Sequence, residues 1–280
     1  MTALTTVDQL ADAPKFRLGI RGNSFNGSTA ERHYLKGMSA SAFNAFTDTN
    51  ASPAAFGSNG TLFNKTSTGF PNFPTYSGLT PYLYASSLAL HTGGGAFLAE
   101  IVDVVWACTG FNGTSAVAQN IPAFPAYTRG DANGEGLDLY IFTATTAGST
   151  SITVTVSYTN TAGTAGRSAV KTLEASALTA PLTYLVPRQA GDTGVQSIQS
   201  LTFSATSGAA GSVGLALVRS LGWVGGGGAG LISPANSRVP FRQDWQQVGL
   251  QQLDNDAALS TIGHSNSSPN IVGGITLAYV

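Results

Sequence analysis

The stretch TSITVTVSYTN, residues 150–160, decides the fold class. Ile152, Val154, Val156 and Tyr158 alternate with Thr153, Thr155 and Ser157. In an extended chain that two-residue period sends one set to each face, giving an antiparallel strand with one buried and one wet side. Turn sequences flank it, AGST (147–150) before and TAGTAG (161–166) after, and SAVKTL (168–173) follows as a further strand. Ahead of it, GLDLYIFTATT (136–146) sets Leu137, Leu139 and Ile141 against Asp138, Tyr140 and Phe142. The three segments read as a meander.

The same texture extends outward. FLAEIVDVVWA (97–107) is a β-branched run; PLTYLVP (181–187), VQSIQSLTFSA (195–205) and SVGLALVRSL (212–221) continue the series, the last two joined by SGAAG (207–211). NIVGGITLAYV (270–280) closes the chain as a strand that must pair, because an unpaired apolar edge invites aggregation. Short strands separated by glycine turns predict an all-β protein, an antiparallel β-sandwich of jelly-roll type. Residues 1–92 differ: Phe25, Phe43, Phe46, Phe56, Phe63, Phe70, Phe73 and Tyr76 stand singly among Gly, Asn and Pro. They read as a long, largely irregular N-terminal arm laid over a core or over a neighbouring subunit. Residues 93–280 form the sandwich, with an irregular insertion around 225–270 that opens on GGGG (225–228) as a joint. Helical spacing at Leu35, Met38, Ala42 and Phe46 predicts one short helix in 31–46, and QDWQQVGLQQL (243–253) a second.

Of 280 residues only 10 % are charged, with 13 Lys+Arg against 14 Asp+Glu, whereas 42 % are hydrophobic and 34 are Gly. A globular domain averages about 25 % charged. The apolar content is enough for a core, and the near-zero net charge argues against non-specific nucleic-acid binding. One cysteine, Cys108, excludes an internal disulfide framework and a thiol-based zinc site. No apolar run is long enough to span a membrane as a helix, and Asp8 and Asp12 interrupt what a secretory leader would need, so the expectation is synthesis in a cytoplasm.

Motifs that carry chemistry fail one by one. GNSFNGST (22–29) has P-loop glycine spacing at Gly22 and Gly27 but lacks the lysine that would neutralise phosphate. Gly22, Asn23 and Ser24 loosely resemble the nucleophile block of GDS-type esterases, yet Thr261 stands where that family has an Asp three residues before the late His264, and the nearest acid upstream is Asp256. His33, His91 and His264 lack partners at metal-ligand spacing. RGDANGEG (129–136) alternates Asp131, Asn133 and Glu135 like the start of a calcium loop, but its twelfth position is Phe142 and cannot supply a bidentate carboxylate. Asn26, Asn50, Asn59, Asn64, Asn112 and Asn266 open Asn-x-Ser/Thr sequons in a chain rich in those residues. The reading is no enzyme, no cofactor, and no catalytic, cofactor-binding or metal site.

The turn Asn160-Thr161-Ala162-Gly163-Thr164-Ala165-Gly166-Arg167, the string Gln189-Ala190-Gly191-Asp192-Thr193-Gly194-Val195 and the run Gly214–Arg219 resemble virion structural proteins of tailed bacteriophages, over roughly residues 150–223. That resemblance implies a β-sandwich subunit of the head exterior or the tail. It points to a capsid cement or decoration protein that bridges major-capsid subunits, with the major capsid protein and itself, as a homotrimer, for partners. No nucleic acid or membrane is expected, and the location is the virion, assembled in the host cytoplasm. The alternative is a tail or fibre component whose loops, such as NKTSTGFPNFPTYSG (64–78), bind a receptor glycan. An esterase using Ser24 is the third reading.

The strand assignment has a direct test. Val154→Asp places an unpaired charge in the core and should cost several kcal/mol, about 3 or more, whereas Thr155→Asp should cost well under half as much. Urea unfolding followed by tryptophan fluorescence checks this, and equal losses would refute a one-sided strand.

Overall fold

The computed structural model describes residues 6–22, 33–35, 60–67, 70, 72–92, 97–145, 147–175, 178, 183–226, 241–243, 250–265 and 270–280. Along the chain come helix α1 (Val7–Asp12), then β1 (Lys15–Gly22), β2 (His33–Leu35), β3 (Thr61–Leu62), β4 (Pro81–Thr92) and β5 (Phe97–Asn112). The middle supplies β6 (Gln119–Asn120), β7 (Leu137–Thr143), β8 (Ile152–Asn160), β9 (Arg167–Leu173) and β10 (Thr183–Leu185). β11 (Val195–Phe203), β12 (Ser212–Gly226), β13 (Phe241–Gln243), β14 (Leu259–Ser265) and β15 (Asn270–Tyr279) complete the order. Among the described residues every strand pairing is antiparallel. The fold is the expected all-β, jelly-roll-like sandwich.

The described residues form three sheets. The first runs β1-β15-β4-β13, the second β12-β7-β10-β2-β14-β5-β3, and the third β6-β11-β8-β9. In the second sheet β12 also pairs with β5, so the path β5-β12-β7-β10-β2-β14 returns on itself as a curled, closed circuit of hydrogen bonds. One face of this sheet, with Ile101, Leu137, Leu139, Ile141, Leu215 and Leu217, shares a core with both other sheets. The third sheet contributes Val154, Val156, Tyr158, Ile198 and Phe203 to it; the first contributes Leu18, Leu83, Ile275 and Leu277. The opposite face of the second sheet is buried as well, through Val102, Val104, Phe142, Val218 and Ile262, with Phe63 and Phe70 against them.

The alternation read from β8 and β7 is realised. Ile152, Val154, Val156 and Tyr158 are buried while Thr153, Thr155 and Ser157 are part-exposed. β7 is covered on both sides, which explains why its second face carries Tyr140 and Phe142.

The front of the chain contributes to these sheets. β1 and β4 both pair with β15, and Phe63, Phe70 and Phe73 are buried in this chain's own core. α1 begins with a capping box, the Thr6 hydroxyl accepting from Gln9 N and the Gln9 side chain from Thr6 N. Lys15 Nζ donates to the carbonyls of Leu10, Ala11 and Ala13 at 3.1, 2.9 and 3.2 Å, placing a cation at the negative end of the helix.

Four local expectations change. The three segments around 150–160 are not one meander: β7 pairs with β12 and β10 in the second sheet, whereas β8 and β9 pair in the third. His33–Leu35, inside the helix predicted over 31–46, is strand β2, held by β14 and β10; the rest of that segment lies outside the described residues. Gln243 ends β13 and Gln252 bridges Tyr82, so neither end of the second predicted helix is helical. Gly225 and Gly226 do not form a joint but extend β12 opposite Leu98 and Phe97, because ladder partners stabilise an extended glycine that has no local preference of its own.

Gly134 marks where the turn before β7 meets β11. Its φ is +71°, and a Cβ there would lie 1.9 Å from the Val195 carbonyl oxygen. Gly163 has φ +76° with nothing within 4 Å. Gly163→Ala should therefore cost only the backbone penalty, on the order of 1–3 kcal/mol, and Gly134→Ala distinctly more, read as a larger fall in Tm.

Candidate functional site

Three clusters of ionisable side chains stand out among the described residues. In the first, Asp103 on β5 meets Arg129 from the β6–β7 connection. Arg129 Nη2 lies 2.6 Å from Asp103 Oδ1 and donates to the Val104 carbonyl at 2.7 Å, and Nε reaches Oδ2 at 3.3 Å. Ala258 N donates to the same Asp103 Oδ1 at 2.8 Å. Both side chains are almost wholly buried, so the pair is a clamp tying two loops to β5.

The second cluster closes one end of the third sheet. Arg167, at the start of β9, grips Asp192 through Nε at 2.9 Å and Nη2 at 3.0 Å, a two-pronged contact. Asn160 Nδ2 donates to Asp192 at 2.7 Å, and the Tyr158 hydroxyl donates to it too. The same hydroxyl accepts from Gln189 N at 2.9 Å, so the 186–194 loop is pinned at two points. Arg167, then the Tyr158 and Asn160 donors, hold the Asp192 carboxyl at about 2, well below the ordinary aspartate value.

In the third cluster, on the second buried face of the large sheet, Glu100 is 3 % exposed. Tyr140 Oη donates to its Oε2 at 3.1 Å, and Ser220 also bonds it. Burial pushes the Glu100 carboxyl up; Ser220 and Tyr140 pull it partly back, and nearby Asp138 raises it again. Burial likewise raises Asp138, which Arg188 Nη2 at 3.1 Å opposes. Carboxyls with raised pKa beside a phenol are material for acid–base chemistry. Here Glu100 is buried opposite Ile262 of β14, and its carboxyl is engaged by Tyr140 and Ser220. It is an acid held toward its neutral form, cross-linking β5, β7 and β12.

The residues singled out by sequence scatter. Ser24 lies outside the described residues. Asp256 sits in a turn whose carbonyl accepts from Lys65 N at 3.1 Å. Backbone register sets His264 on β14 opposite His33 on β2, a juxtaposition invisible in sequence, while His91 is on β4 in another sheet. Among the described residues no group of three His, Cys, Asp or Glu could hold a metal ion. The 129–136 loop folds on itself: Asp131 Oδ1 accepts from Asn133 N at 2.7 Å, and Glu135 accepts from the Thr193 hydroxyl at 2.7 Å. Asn64 and Asn112 each accept from the backbone N–H two residues on, at 3.0 and 2.9 Å, and so act as turn formers. Cys108 is buried in β5, its thiol pushed up to about 12 by burial, and is unreactive there. None of the three clusters announced itself in sequence, because their members are far apart along the chain.

No protein-family model matches the chain, and no curated protein does. Similar solved structures are of infectious bursal disease virus. Its VP2 subviral particle aligns over 99 % of this chain and 83 % of its own at 10 % identity and TM-score 0.21. The Gx strain aligns over 96 % and 81 % at 9 % and 0.20, and the T=1 particles over 99 % and 80 % at 11 % and 0.19. These are particles of a different virus from the tailed bacteriophages that residues 150–223 resemble, so the tailed-phage kinship and the cement, decoration and tail roles drawn from it are corrected. At a TM-score near 0.2 the likeness transfers no role in their place.

Two measurements probe the clamps. Arg129→Ala strands the buried Asp103 carboxylate and should cost about 3–5 kcal/mol in urea unfolding. Asp192 has a depressed pKa, so its contribution is complete above the unfolded value near 4 and fades as pH falls toward about 2. Asp192→Asn should thus be destabilised at neutral pH, with the gap to wild type closing between roughly pH 4 and 2 in thermal melts.

Proposed function

We propose that this chain is a non-catalytic building block of a virus particle, associating with further copies of itself to form part of the shell. The observation that carries this is where the charge goes. Asp103, Arg129 and Glu100 are buried in the body, and the part-exposed Arg167, Asp138 and Arg188 are spent in ion pairs within the chain, Arg167 with Asp192 and Arg188 with Asp138. The outward face of the third sheet is left with Thr153, Thr155, Ser157, Ser168, Val170, Thr172, Ser200 and Thr202, none of them ionisable. A free-standing soluble domain covers its surface with Lys and Glu; a subunit that meets copies of itself gains from having no like charges to oppose. Tyr76, Val117, Val170, Leu185 and Trp223 add exposed apolar surface. The homotrimer expected from sequence is one closed form such self-association can take. Assembly in the host cytoplasm fits a chain whose one thiol is buried and whose stability requires no oxidising compartment.

Purified full-length protein should form discrete oligomers or closed particles in sedimentation velocity and negative-stain electron microscopy. A monomer that persists at high concentration across a range of salt and pH would overturn the assignment.

A further inference from the structure

The edge of the third sheet carries a more specific contact. Among the described residues β9 is its terminal strand, paired to β8 alone. The direction of its free groups follows from the neighbouring ladder. Ser204 N donates to the Thr153 carbonyl at 2.9 Å, so the odd-numbered residues of β8 turn their backbone groups toward β11. Ile152, Val154, Val156 and Tyr158 then bond to their register partners Leu173, Lys171, Ala169 and Arg167. Ser168, Val170 and Thr172 must aim their N–H and C=O groups at the open edge. Ser168 N accordingly meets Gln189 Oε1, at 3.5 Å. Among the described residues nothing pairs with the backbone of Val170 or Thr172, and the Val170 side chain is 47 % exposed.

Natural sheets blunt such an edge with charge pointing outward or inward, with proline or with a bulge. β9 has no charge, proline or bulge at 168, 170 and 172; on its inner-facing set, with Ala169 and Leu173, Arg167 is held by Asp192, and Lys171 is the charge that any pairing has to accommodate. We propose that a second copy of this chain adds antiparallel at β9, about a two-fold axis at Val170, fusing two four-stranded sheets into one continuous sheet. The charge pattern selects that register. With Val170 opposite its own copy, Lys171 faces Ala169 and Arg167 faces Leu173; a shift of the axis to residue 171 would set Lys171 against Lys171. With the axis at Val170, the two valines exchange a reciprocal pair of N–H···O=C bonds, and Ser168 stands opposite Thr172 on each side. This deepens the shell-subunit reading and rests on it, naming one contact among those a shell needs.

Val170→Pro tests it. The lost N–H points away from β8, and proline is tolerated on an edge strand, so the internal ladder survives. Val170→Thr keeps the donor. In sedimentation equilibrium wild type and Val170→Thr should populate a species of twice the 28.6 kDa chain mass, and Val170→Pro should weaken its formation more than about tenfold. A folded Val170→Pro that dimerises like wild type overturns the contact. Hydrogen exchange on wild type needs no variant: the Val170 and Thr172 amides should slow as concentration rises. Fast exchange at these amides in protein that has assembled refutes the strand contact and leaves self-association standing; a wild type that never associates removes both.

Discussion

The long antiparallel pairing of β5 with β12 is the constraint on which the rest of the molecule depends. Phe97–Asn112 runs beside Ser212–Gly226, with register shifts between Val213 and Gly214, Leu217 and Val218, and Ser220 and Gly222. Such irregularities bend and twist a strand locally, and here they let one ribbon serve as the wall between two hydrophobic cores. β7, β14 and β3 all attach to this pair, and the β7 and β14 branches meet again through β10 and β2. A ribbon wetted on one side would alternate polar and apolar residues; EIVDVVWA (100–107) does not, because both its faces are dry.

Dry faces make polar groups expensive, and this accounts for the way charge is used. Each carboxylate taken into the body has dedicated donors: Arg129 and the Ala258 amide for Asp103, Arg167, Asn160 and Tyr158 for Asp192, Tyr140 and Ser220 for Glu100. An unpaired charge at any of these places would be prohibitive, and a paired one fixes which loop lies where. The Asp103 and Asp192 clusters therefore specify the positions of connections that have no secondary structure to hold them, while Glu100 ties strand to strand.

What could be read from sequence follows the same physics. β8 was legible because one face is wet, so burial wrote a period of two into it. β1 carries a similar alternation, Phe16, Leu18 and Ile20 between Arg17, Gly19 and Arg21, but stands within a segment otherwise lacking periodicity and reads as arm. β2 could not be found locally: three residues become a strand only because β14 and β10 arrive on either side. The clamps were equally hidden, Arg129 lying 26 residues from Asp103 and Arg167 lying 25 from Asp192. The resemblance to tailed-phage proteins rested on turn and strand composition, which many β-sandwiches share, and composition of that kind does not identify a lineage.

The pairing of β15 with β1 and β4 has a consequence for biosynthesis. Lys15 lies opposite Ala278 and Tyr82 opposite the same residue from the other side, so the first sheet has no centre until the ribosome has passed residue 270. At about 5–20 residues per second, β1 waits on the order of ten to fifty seconds with its ladder groups unpaired. During that interval the nascent chain is a competent partner for its counterparts on adjacent ribosomes. Yield in a heterologous host will therefore track translation speed and chaperone supply more closely than it tracks the equilibrium stability of the finished fold.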